Sequence, residues 1–159
     1  MALAAIDRET LTPSPSRVMG KIHGTCVSIG DTGVLIRGPS GAGKSDLALR
    51  LIDRGAVLVS DDYCEVEARD GTITLRAPAP IAGRMEVRGL GIVVLAHRPS
   101  ARLGLIVDLA PHTSIERLPE KNTEDLAGVP VRWICVDPTH ASADAKIRLA
   151  VSPQGVVHG

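Results

Sequence analysis

The sequence predicts an α/β domain whose sheet is mixed, with strands outnumbering helices. Three observations predict it. Apolar runs of strand length recur along the chain, while only two segments carry a helical period. Several of these runs are joined by turns of a few residues, too short for the crossovers that link parallel neighbours. A glycine-rich loop connects one apolar run directly to an amphipathic segment, giving a strand–loop–helix order.

In chain order, residues 1–17 hold Thr10, Pro13, Ser14, Pro15 and Ser16 and are expected to form a flexible N-terminal extension. Residues 18–152 are expected to form one domain, followed by a tail over 153–159. Residues 18–29 are mixed, with a strand at 25–29. A second strand at 33–37 (GVLIR) follows through the tight connection 30–33 (GDTG). Residues 44–54 place Leu47, Ala48, Leu51 and Ile52 on one helical face, and Gly55 is positioned to end the helix in the left-handed conformation. Residues 56–60 (AVLVS) make a short buried strand that ends at Asp61-Asp62. Strands at 64–68 and 72–76 flank Asp70-Gly71, a hairpin turn signal. Pro78, Pro80 and Gly83 mark a loop. Residues 91–95 (GIVVL) and 103–109 (LGLIVDL) are expected to be buried strands. Residues 129–136 form another strand, interrupted by Pro130, and 141–151 a closing helix with Ile147, Ala150 and Val151 inward.

Composition narrows the function. The 159 residues carry 18 basic and 18 acidic side chains, so the formal net charge is zero and a generic polyanion binder is disfavoured. One Trp, one Tyr and no Phe leave almost no aromatic faces, which excludes a base-stacking platform for single-stranded nucleic acid. Cys26, Cys64 and Cys135 form no C-x-x-C pair and read as buried free thiols, not as a disulfide framework or zinc site. The apolar runs are far too short to span a bilayer, and the N-terminal MALAAI is too short for a secretory signal. A cytoplasmic protein is expected.

Gly38-Pro39-Ser40-Gly41-Ala42-Gly43-Lys44-Ser45 satisfies G-x-x-x-x-G-K-[ST] in full. The glycines give access to positive φ and keep side chains away from a ligand. Successive N–H groups and the positive end of the following helix then suit phosphate oxygens. Lys44 supplies a point charge for terminal phosphates and Ser45 a hydroxyl for Mg²⁺. Phosphoryl transfer also needs carboxylates for the metal and the nucleophile. Asp61-Asp62 and Asp108 both stand at strand ends. Asp61-Asp62 is favoured because its strand is the first after the loop and helix. Glu86 and Arg88 lie two apart and share a face in extended backbone, a carboxylate beside a guanidinium. His97, His112, His140 and His158 carry no motif and read as surface residues.

Taken together, HG (His23-Gly24), GVLIRGPSGAGKSD (33–46), LVSDD (58–62) and MEVRGLGIV (85–93) resemble the HPr kinase/phosphorylase family. That family phosphorylates a seryl residue of the phosphocarrier protein HPr and reverses the reaction by phosphorolysis. The resemblance covers residues 20–110 well. It implies a phosphoenolpyruvate-carboxykinase-like fold, a mixed, barrel-like sheet with packed helices. It implies that residues 38–45 hold the phosphates of ATP or pyrophosphate. Asp61 would be the catalytic base, acting as acid in reverse. Ser45, Glu86 and Asp62 would serve Mg²⁺, and Arg88 would neutralise the transferring group. His23 would be a pH-sensitive element near the phosphates, since an imidazole titrates near neutrality. It further implies HPr as partner and a homo-oligomer, typically a hexamer. The scarcity of aromatics fits a site that grips polyphosphate more than base, so pyrophosphate use is expected.

Three departures accompany the resemblance. Well-known members carry an additional N-terminal domain, which is expected to be absent here because His23 lies near the start. Asp46 stands where the family has Glu. Residues 137–142 (DPTHAS) lack the arginine of the family's Gly-Arg-Asn string. Short forms of this kind resemble proteobacterial kinases whose partner is an HPr of a regulatory phosphotransferase system. Two alternatives remain beside this reading: a small-molecule kinase, which predicts a parallel sheet with helices on both faces, and a nucleotide-binding regulatory module without transfer activity.

Overall fold

The computed structural model describes residues 12–14 (backbone only), 17–152 and 155–156. The expected extension and tail therefore lie largely outside the described residues. Twelve strands and two helices follow one another: β1 (Thr12–Ser14), β2 (Arg17–His23), β3 (Thr25–Ile29), β4 (Thr32–Arg37), α1 (Lys44–Asp53), β5 (Val57–Ser60), β6 (Tyr63–Arg69), β7 (Thr72–Arg76), β8 (Arg84–Val87), β9 (Gly91–Val94), β10 (Ser100–Leu109), β11 (Asn122–Leu126), β12 (Val129–Val136) and α2 (Ala143–Val151).

Ten strands form one mixed sheet in the order β1-β2-β6-β7-β10-β4-β3-β5, with β12 and then β11 added beside β10. Among named strands, β4 and β12 pair parallel to β10, and the other pairings are antiparallel. The sheet branches at β10. Opposite its β4 edge, β10 pairs first with β7 through Ser100–Arg102, then with β12 through Leu105–Leu109. A register shift between Leu103 and Leu105 marks the branch. Gly104 allows it, because a Cβ there would stand 2.7 Å from Thr32 Cγ2.

The sheet is covered on both faces, which explains the unbroken apolar runs of its central strands. On one face Leu35, Val66, Leu75, Ile106 and Leu126 make a core built from strands alone, the inside of a curled half-barrel. On the other, Val34, Ile36 and Val107 meet Leu47 and Leu51 of α1 and Ile147 of α2. The expected α/β class with a mixed, barrel-like sheet and packed helices holds. The α1 helix ends as the sequence predicts. Gly55 takes φ 107°, and the Gly55 and Ala56 amides donate to Ile52 O and Leu51 O. The turn Asp70-Gly71 takes φ 52° and 73° between β6 and β7.

Residues 91–95 correct one expectation. They are not a buried central strand: β9 pairs only with β8, in a separate two-stranded hairpin, and Ile92 and Val94 are exposed. Strands β1, β2, β8 and β11 add to the expected set. No helix among the described residues is long and apolar enough to cross a membrane.

Candidate active site

The site is assembled where β4 and β5 end. Residues 38–43 leave β4 and turn into α1, with Gly41 at φ 80° and Gly43 at φ 104°. Gly38 does not need positive φ. Its reason is proximity, since a Cβ there would lie 3.3 Å from the Ala42 Cβ and 3.4 Å from the Leu109 Cβ. Gly43 stands at the N-cap of α1 with no side-chain cap, so the first-turn N–H groups are not taken by a capping side chain. The neighbouring segment that follows β12 packs on this turn: a Cβ at Gly43 would meet Pro138 at 3.4 Å, and Arg50 of α1 donates to Pro138 O (2.6 Å).

Lys44 is buried, with Nζ donating to Gly38 O (2.7 Å) and Pro39 O (2.9 Å). Burial lowers its pKa, while the charges of Asp62 and Asp61 pull it back up. Both aspartates are thus electrically coupled to the loop lysine. Asp46, by contrast, is exposed on α1 and pairs with Arg50 at 3.5 Å.

Asp61 is buried and accepts three hydrogen bonds. Ser45 Oγ (2.7 Å) and Thr25 Oγ1 (3.0 Å) donate to Oδ1, and the Glu86 amide donates to Oδ2 (3.2 Å). Asp62 turns away at φ 71°, and the Tyr63 amide closes onto Asp61 O (2.8 Å). This is a γ-turn with positive φ at its centre, a strained conformation for a residue with a Cβ. Three contacts hold it: the Gly24 amide donates to Asp62 O (2.8 Å), the Asp62 amide donates to Thr25 Oγ1 (3.3 Å), and Ser60 Oγ donates to Tyr63 O. The turn resolves how adjacent strand residues serve one site, because the reversal after Asp61 breaks the alternation of faces.

His23 Nε2 lies 3.2 Å from Asp62 Oδ1, and its ring sits 5.1 Å from that of Tyr63. Gly24 is required beside it, since a Cβ there would stand 2.8 Å from Leu35 Cδ1 and 2.9 Å from Ile36 O. Glu86 reaches the site through its amide while its side chain is exposed, and Arg88 is exposed in the β8–β9 turn. The structure therefore brings together Lys44, Ser45, Asp61, Asp62 and His23, with Glu86 joined by its backbone. Arg88 stands two residues further out.

Asp108, the other candidate carboxylate, is engaged elsewhere. Arg37 donates to both its oxygens (2.8 and 2.7 Å) and to both oxygens of Glu124 (2.6 and 2.8 Å), and Trp133 Nε1 donates to Asp108 (2.7 Å). Burial alone would lower the Arg37 pKa, but the hydrogen bonds and charges of Glu124 and Asp108 outweigh it and raise it above the ordinary value. Cys26 and Cys64 are buried free thiols, and Cys26 is pushed up by its contact with Cys64 and by burial, so it is inert. Beside the loop, the Thr139 hydroxyl and amide and the His112 amide hold Asp137 down to about 2. The His112 and His140 rings stack there at 4.3 Å.

Thr25 is the site residue that sequence reasoning misses. Within TCVSI it reads as an ordinary β-branched strand residue, and only its partners distinguish it.

Comparison with known proteins follows this geometry. A family model described as the HPr Serine kinase C-terminal domain matches residues 17–147. An HPr kinase/phosphorylase of Limosilactobacillus reuteri is 39% identical over 140 residues, covering 80% of this chain and 42% of that protein. An HPr kinase/phosphorylase of Bordetella pertussis is 41% identical over 125 residues, covering 71% and 41%. The chain thus spans about two fifths of the length of these curated relatives. The solved Hpr(Ser) kinase/phosphatase from Coxiella burnetii superposes with a TM-score of 0.74 at 26% identity, covering 82% of this chain and 93% of that one.

Proposed function

Because the chain belongs to the family of the HPr serine kinase C-terminal domain, we propose that it phosphorylates a seryl residue of HPr and reverses that transfer by phosphorolysis. ATP or pyrophosphate is the donor. The observation that carries this reading is the Asp61 carboxylate bound to the phosphate-loop hydroxyl of Ser45 at 2.7 Å. It puts a proton acceptor at the end of the loop that holds the donor's phosphates.

In the forward direction Asp61 takes the proton of the seryl hydroxyl as its oxygen attacks the terminal phosphorus. The bond from that phosphorus to its bridging oxygen breaks, and Lys44 and Arg88 neutralise the charge on the phosphoryl oxygens. In reverse, inorganic phosphate attacks phosphoserine, pyrophosphate forms, and Asp61 returns the proton to the seryl oxygen. The hydroxyl of Ser45 and the carboxylates of Asp62 and Glu86 are hard oxygen donors of the kind that suits Mg²⁺ and would hold it, the Glu86 side chain from its exposed position on β8. Bound there, Mg²⁺ supplies further charge neutralisation. His23 holds Asp62 through the 3.2 Å contact of its Nε2 with Oδ1. The protein works in the cytoplasm as a homo-oligomer, a hexamer by family resemblance. The antiparallel pairings at the sheet's centre argue against an ordinary small-molecule kinase.

The test is to incubate the protein with HPr, Mg²⁺ and either ATP or pyrophosphate. Phosphoserine on HPr is expected, and its absence with both donors overturns the reading. Asp61→Asn should lower transfer in both directions by about 10²–10⁴-fold while ATP affinity, read by calorimetry, is retained. Full turnover in that variant would remove Asp61 from the mechanism.

A further inference from the structure

Three parallel strands, β4, β10 and β12, lie side by side and end in register. Ligands of α/β sheets bind beyond such carboxyl ends. The phosphate loop leaves β4, but the segments that leave β10 and β12 have no role in the site described above. Each brings one imidazole. His112 follows β10, His140 follows β12, and their rings stack at 4.3 Å with 21° between their planes. We propose that this pair is a platform on which the base of a purine nucleotide stacks, so that the protein holds ATP by its base as well as by its phosphates.

The platform is fixed to the phosphate loop. Pro138 packs on Gly43, and Arg50 of α1 donates to Pro138 O (2.6 Å) and His140 O (3.3 Å). Gly43 and Arg50 are two helical turns apart, so the segment after β12 lies along one side of α1 from its N-cap onward. Leu109 brings the end of β10 against Gly38, at the start of the same loop. Asp137 joins the two segments. Its Oδ1 accepts the Thr139 amide (2.9 Å) and hydroxyl (2.6 Å), and its Oδ2 accepts the His112 amide (2.8 Å). Its side chain is only 12% exposed, so this charge is satisfied within the loops and does not repel a phosphate chain. The order of strands sets the direction. Strand β5, with Asp61-Asp62 at its end, lies on the β3 side of β4, and β10 and β12 lie on the other. A phosphate chain on residues 38–45 thus has the aspartates toward one flank and the imidazoles toward the other. The nucleoside hangs from the phosphate remote from transfer, so it leaves toward β10. There His112 is exposed and His140 half-buried, and among the described residues no other ring covers His112. Imidazole rings stack bases as larger aromatic rings do. Trp133 and Tyr63 are engaged elsewhere, with Asp108 and His23.

This inference rests on ATP being a donor, and binding measurements separate it from transfer to HPr. Calorimetry in the presence of Mg²⁺ compares ATP with pyrophosphate, which offers phosphates and no base. His112→Ala should weaken ATP by about 5–30-fold and leave pyrophosphate within about 2-fold of wild type, and His112→Phe, which keeps a flat ring, should restore ATP. A segment that only packs against Gly43 would, when disturbed, weaken both ligands alike. The second measurement is made on the wild-type protein. ATP should move the His112 ring-proton resonances upfield through the ring current of the base, and pyrophosphate should not; the resonances are assigned by their loss in His112→Phe. Equal losses for the two ligands in His112→Ala, an unchanged ATP affinity, a His112→Phe variant as weak for ATP as His112→Ala, or His112 resonances that respond to both ligands alike overturn the proposal. A wild-type protein that binds ATP but transfers nothing to HPr overturns the proposed function instead, and the comparison of ATP with pyrophosphate still decides the platform.

Discussion

Lys44 carries a charge that the fold has already taken out of water, and its partners are the loop's own carbonyls at Gly38 and Pro39. Burial holds its pKa below the ordinary 10.5. A bound polyphosphate favours the charged form and raises that pKa again. The sign follows: affinity for pyrophosphate falls as pH rises through the lowered value, and binding takes up a proton in that window. Calorimetry in alkaline buffers of different ionisation enthalpy should show this uptake, and it should vanish near neutrality. At this scale the phosphate loop was fully legible, because the ligand dictates each residue type at each spacing. The roles of Thr25 and the geometry of Asp62 were not, because they depend on strands 36 and more residues apart meeting.

The join between β2 and β3 is the element on which the site depends most. His23-Gly24 passes beside Leu35 and Ile36 of β4, and the Gly24 amide holds the Asp62 carbonyl. Gly24→Ala should therefore cost about 1–3 kcal/mol by overpacking, read as a lower urea midpoint with an unchanged m-value. Neighbouring elements show why part of the fold escaped the sequence. Strand β2 contains Gly20 and Lys21 and lacks a clean alternation, and its identity comes from seven pairings with β6. Strand β11 is NTEDL, polar but for the buried Leu126, and forms because β12 offers an edge. The opposite error, at β9, came from reading GIVV by its apolar content. Burial belongs to the partner surface, and this hairpin shows Ile92 and Val94 to solvent.

At the scale of the whole molecule, Arg37 ties the branched sheet together. It lies at the end of β4 and bridges Asp108 of β10 and Glu124 of β11 by bidentate contacts. Arg37→Ala leaves two carboxylates without their cation and should cost about 3–5 kcal/mol in denaturant unfolding. Such a network was not legible in advance, because each of its residues is an ordinary strand residue until the strands are ordered. The branch itself has a consequence for association. An unbranched open sheet has two edges, and one fork adds a third. Here, among the described residues, the edges are β1, β5 and β11. The segment at His97 and Arg98 lies along β5, bridging to Leu58 and bonding its carbonyl. The edge that the fork creates is β11, five residues long and carrying Glu124 and Asp125. A short, acidic outermost strand discourages a stray chain from extending the sheet. The polarity that hid β11 in the sequence is thus what guards the edge that the fork creates.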